Sequence, residues 1–164
     1  MADESPSADP DRHRPFAVEA NNSVWDYLTK PERTDDDIDQ MLERAYAAAH
    51  HWRLATEPGA IQRARAAWLL SRVHAVTGQA DLAMRHARRC AELTEAAGDA
   101  AADFDRGYAA EALARALALA GDLDAAREAR ARAASIEIAN DDDRSIFESD
   151  LADGPWFGLD QPAG

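Results

Sequence analysis

The chain has 164 residues, 46% of them hydrophobic, and a formal net charge of −13. That length suits one domain with a real core, and a single cysteine, Cys90, excludes an internal disulfide. No apolar run approaches the roughly 20 residues of a bilayer span, and the polar start MADESPSADPDRHRP lacks a secretory apolar segment, so the composition reads as a soluble cytoplasmic protein. Alanine, leucine, arginine and glutamate dominate over β-branched residues, which predicts an all-α fold. The charge is uneven: residues 1–43 carry a net −8, residues 44–97 a net +4 and residues 98–164 a net −9. Overall repulsion disfavours phosphate backbones, so no nucleic-acid partner is expected, and no membrane.

Residues 1–20, rich in Pro, Asp and Ser, are expected to be a disordered acidic tail. From Asn21 a short helix is predicted, with Ser23 as N-cap and a stop before Pro31. The next helix starts at the acids Asp35, Asp36 and Asp37, and stops before Pro58 and Gly59. Its stripe Ile38, Leu42, Ala45, Ala49, Trp52 has the 4, 3, 4, 3 spacing of an amphipathic helix. The third helix, about 60–77, is apolar nearly all round, which places it at the centre. A fourth, about 80–97, ends at Gly98. Helices at 103–121 and 123–139 follow around Gly121, and Asn140 with three aspartates restarts a short helix carrying Ile146, Phe147 and Leu151. An extended Pro155-Trp156-Phe157 piece closes the domain, so 21–157 is read as one helical-repeat domain and 158–164 as a second disordered tail.

A slide of 43 residues lays Gly78 on Gly121, Ala83 on Ala126, Leu70 on Leu113 and Arg72 on Arg115. Ala67, Leu70, Ser71 and His74 before Gly78, with Ala83, Ala87 and Cys90 after it, resemble a tetratricopeptide repeat. The second copy reads Ala110, Leu113, Ala114 and Leu117, then Gly121, Ala126 and Ala133. The resemblance covers roughly residues 60–139, and its long period resembles the variant of some bacterial regulators. Arg130 and His74 depart from it, standing where the family prefers aromatics. It implies stacked helical hairpins, as a solenoid or bundle, with residues 23–57 as a divergent first hairpin and 142–157 as a terminal cap. It also implies partner binding on a concave surface and no chemistry.

The residues themselves point the same way. No Gly-rich phosphate loop and no serine-nucleophile motif is present, so no enzymatic activity and no cofactor are expected. Cys90 reads as a buried small apolar residue. Adjacent His50 and His51 point about 100° apart on a helix and do not chelate one ion easily. A small-ligand or metal-binding helical protein using His50, His51, His74 or His86 is the alternative reading, with no definite metal site assigned. The main expectation is a groove: Arg65, Trp68 and Arg72 on one helix, with Tyr108, Glu111 and Arg115 brought beside them by the 43-residue slide. Arginine forks bind carboxylates and aromatics supply rigid apolar area, so the expected ligand is acidic. It is either a protein or peptide partner or the chain's own C-terminal tail with Phe147 and Trp156.

Overall fold

Seven α-helices and one 3-10 turn, with no strand among the described residues, make up the computed structural model, which describes residues 10–55 and 59–160. They are α1 (Pro10–Leu28), α2 (Asp35–Leu54), α3 (Ala60–Val76), α4 (Ala80–Ala97), α5 (Asp103–Leu119), α6 (Leu123–Ala134) and α7 (Asp141–Ala152). The expected helix stop at Pro58 and the end of the chain at 161–164 lie outside the described residues. None of the helices described is long and apolar enough to cross a membrane.

Consecutive helices pair: α1 with α2, α3 with α4, α5 with α6. The last two pairs share one turn. Gly78 and Gly121 sit at φ +76° and +86°, a conformation that a Cβ strongly disfavours. Gln79 N–H reaches back to the His74 carbonyl at 2.9 Å, and Asp122 N–H to the Leu117 carbonyl at 3.0 Å. Both are the six-to-one bonds of a Schellman turn, 43 residues apart. Acids and caps set the helix starts. Thr34 Oγ1 accepts the Asp37 N–H while Asp37 accepts the Thr34 N–H, and Asn140 Oδ1 accepts the Asp143 N–H.

The nearly all-apolar helix is central, as its composition requires: α3 packs on α1, α2, α4 and α5. Its face Leu69, Leu70 and Val73 joins Val24, Met41 and Ala45, while Ile61, Ala64 and Ala67 join Cys90, Leu93 and Ala109. Small residues at these positions let the backbones approach closely. One close approach is extreme: a Cβ on Gly107 would stand 2.8 Å from Phe147 Cζ, so α7 sits this close to α5 because residue 107 is glycine, and any side chain there would force Phe147 to shift.

Three expectations change. Residues 10–20 are not a tail: α1 runs from Pro10, with Pro15 inside it, because Ala17 and Val24 on one stripe bury completely. Ser23 is therefore mid-helix, its Oγ donating to the Ala20 carbonyl, and is no cap. Second, α6 ends at Ala134, not 139, because Ile138 turns in to join Ala133 and Phe147 in one cluster. Third, residue 159 does not belong to a loose end. Leu159 is buried with Trp156, Ala114 and Ala118.

Candidate binding groove

A cavity of about 580 Å3 opens between α1, α3, α5 and α7. α1 contributes Arg14, Val18, Asn21, Asn22 and Trp25, a single face at helical spacing. α3 contributes Gln62, Arg65 and Trp68, and α5 contributes Phe104, Asp105 and Tyr108. Trp52 closes one side, Ile146 and Asp150 of α7 another, and Cys90 and Thr94 form part of the lining from α4. Three of the exposed large hydrophobic residues of the chain, Val18, Trp25 and Ile146, lie in this lining.

The aromatic rings touch in series. Trp25 and Trp68 are 6.0 Å apart at 30°, and Trp68 meets Tyr108 edge-on at 5.0 Å. The polar tips of Trp68 and Tyr108 are tied down to different carboxylates. Trp68 Nε1 donates to Glu111 Oε2 at 2.9 Å and Tyr108 OH donates to Asp150 Oδ2 at 2.5 Å. Burial first, and the Asp150 carboxylate second, push the Tyr108 phenol far above its ordinary range. A ring whose only polar atom is satisfied presents apolar area with no rotamer left to lose.

Arg65 makes a two-pronged bond to Asp105, at 2.8 and 3.0 Å, and lies over the Phe104 ring. That bond raises its pKa further, and half of the guanidinium side chain stays exposed. Asp105 also accepts the Ala102 N–H at 2.9 Å, so both of its oxygens are occupied. The carboxylates in the lining are thus engaged, while the outer edges of Arg65 and Arg14 face solvent.

The six groove residues expected from sequence are brought together, but not on one open face. Arg65, Trp68 and Tyr108 line the cavity. Glu111 and Arg115 are 1% and 2% exposed, and with Arg72 they form a network beneath it. Glu111 accepts from Trp68, from Arg72 at 3.2 Å and from Arg115 Nε. Arg115 then donates to three carbonyls of the chain's own C-terminal segment: Asp150, Asp153 and Pro155, at 2.7, 2.8 and 3.0 Å. The guanidiniums of Arg115 and Arg130 both lie over the Trp156 ring, at 4.0 and 4.1 Å. Burial lowers the Arg115 pKa, and the Glu111 charge opposes that shift. The outward stripe is therefore corrected for these three: Glu111 and Arg72 are taken up by the network, and the C-terminal segment covers Arg115, whose fork is satisfied by its carbonyls and by Glu111.

The histidines fall into two separate groups. His74 and His86 stack at 5.5 Å and 5°, and Tyr46 OH contacts His74 Nε2 at 2.9 Å. Burial lowers both, His86 to about 4. His51 Nδ1 meets His13 Nδ1 at 2.8 Å with ring centroids 5.1 Å apart, so the two nitrogens point head-on at each other. That is one N–H···N hydrogen bond, which occupies both nitrogens. Among the described residues no group of three or more His, Cys, Asp or Glu is placed to hold a metal. Cys90 is buried, and burial pushes its thiol up to about 12, which leaves no thiolate at neutral pH.

Sequence reasoning missed α1 and α7 as groove walls. The signal was there in α1, where Arg14, Val18, Asn21 and Trp25 follow a 4, 3, 4 spacing, but Pro10 and Pro15 hid it. No family model, curated protein or solved structure matches this chain.

Proposed function

We propose that the protein is a non-enzymatic, cytoplasmic interaction module that binds an acidic partner segment carrying a large apolar side chain in the cavity between α1, α3, α5 and α7. One observation carries this reading: an open cavity walled by tryptophan, tyrosine and phenylalanine, whose own carboxylates are occupied while guanidinium edges remain at its lip. Rigid aromatic area and arginine are the residue types that dominate binding hot spots. The volume falls in the ordinary range for a ligand site, and it admits one or two side chains of a peptide. The two matching Schellman turns support a tetratricopeptide-like reading, in which such a surface serves partner proteins. The chain's own C-terminal segment serves the Arg115 end, and the Arg65 end is left to the partner.

Selection of random dodecapeptides on the immobilised full chain tests this. Binders should be enriched in Asp or Glu beside Phe, Trp or Leu. They should lose at least about tenfold in affinity on Trp25→Ala with Ile146→Glu, both side chains being exposed. Binders without acidic enrichment, or indifferent to that pair of substitutions, would refute it.

A further inference from the structure

A second cleft, of about 640 Å3, lies at the other end of the helix stack, between α6 and α7. α6 presents Arg127, Arg130, Ala131 and Ala134 to it, one face of two turns. α7 presents Arg144, Phe147, Glu148 and Leu151, again at 3 and 4 spacing. Elsewhere each hairpin's second helix packs on the helix that follows: α2 on α3, α4 on α5. α7 packs on α5 instead, and α6 and α7 make at most a glancing contact.

The 43-residue register shows what is missing there. Met84, Ala87 and Ala91 of α4 correspond to Arg127, Arg130 and Ala134 of α6. On α4 those three join clusters built with Ala109, Ala112 and Ala116 of α5. The same surface of α6 faces the cleft, so the position that α5 holds on the α3–α4 hairpin has no counterpart on the α5–α6 hairpin. Two apolar positions have also become arginine. Within the lining, Arg127, Arg130 and Arg144 stand against the single acid Glu148. Their present partners, Asp124, Asp160 and Asp141, are 96%, 60% and 85% exposed, so these pairs are weak and exchangeable.

We infer that this cleft receives an amphipathic helix of a partner protein, apolar along the stripe that meets Ala131, Ala134 and Leu151 and acidic on its flanks. Alanines let a helix axis approach to about 8–10 Å. The arginines select carboxylates beside the stripe. A second copy is the weaker occupant, because two chains of net charge −13 repel each other. The inference does not depend on the groove between α1 and α5.

The probe is a fluorescein-labelled helical peptide of about 18 residues, with leucines at 3 and 4 spacing and glutamate flanks, beside a matched peptide with lysine flanks. Anisotropy titrations against the full chain should favour the glutamate peptide by about tenfold or more. Ala134→Trp, which fills the cleft from an exposed position, should abolish binding, and Arg127→Glu should reverse the preference. The titrations are made in a Trp25→Ala, Ile146→Glu background, so that binding in the other groove does not contribute, and circular dichroism confirms that each variant is folded. In that background, equal affinity for the two peptides, no binding of either, or binding that survives Ala134→Trp would overturn the inference. So would a concentration-dependent dimer that Ala134→Trp abolishes, since a second copy would then be the occupant.

Discussion

Replacing Glu111 with Gln removes the one charge that three buried or half-buried donors share. The carboxylate accepts from Trp68 Nε1, Arg72 Nη1 and Arg115 Nε, and its side chain is 1% exposed. The amide keeps the shape but offers one acceptor oxygen, and turns an N–H toward a guanidinium. Arg115, itself 2% exposed, is then a buried cation whose other partners are three carbonyls. Removing one member of a buried ion pair costs about 3–5 kcal/mol, because the remaining charge is uncompensated. For a chain of this length each kcal/mol moves the melting temperature by roughly 2–4 °C, so a fall on the order of 10 °C is expected. Urea unfolding followed by tryptophan fluorescence measures it directly. A Glu111→Gln protein within about 1 kcal/mol of the wild type would refute this account of the network.

Gly107→Ala should cost about 1–3 kcal/mol and expose residues 141–160 to proteolysis, because the added Cβ meets Phe147 at 2.8 Å; intact resistance would count against the packing described. The Cys90 thiol should react with a disulfide reagent only on unfolding, read as one thiol released in urea and none in native buffer. His86 is held neutral to about pH 4 by burial, below its ordinary value of 6.5. Its contribution to stability is therefore complete above pH 6.5 and lost as pH falls toward 4, where the unfolded chain binds the extra proton. His86→Asn should flatten the urea midpoint against pH in that window, and an unchanged slope would show that the stacked pair is not responsible.

How far the fold was legible differs from helix to helix. α3 declared itself, because a segment apolar on nearly every side has to be covered on every side. The stripe of Arg65, Trp68 and Arg72 beside Tyr108, Glu111 and Arg115 was legible as an adjacency, since a common period puts equivalent faces next to each other. Whether that stripe faces water was not legible. Arg115 is buried by residues 150–156, an irregular stretch with no periodicity to announce where it lies. α1 was hidden for a different reason: its core stripe is as thin as Ala17 and Val24, one turn of apolar contact every seven residues, broken in sequence by Pro15. Ile138 shows the limit of composition alone, because residues suited to extending α6 instead leave it to reach Phe147.

The clasp between Arg115 and the three carbonyls joins points 35 to 40 residues apart in the chain. During synthesis, which proceeds from the amino terminus, α5 emerges well before Pro155 does. Until then Arg115 sits on an open helix face, wetted and paired with Glu111 alone, and Ala114 and Ala118 lack the cover of Trp156. The two hairpins are local and quick to form, but the contact that seals them waits for the last helix and the segment after it. A nascent chain stalled before Asp150 leaves the ribosome would thus carry a helical stack with its central arginine exposed, a form that chaperones would meet and that the finished protein never shows.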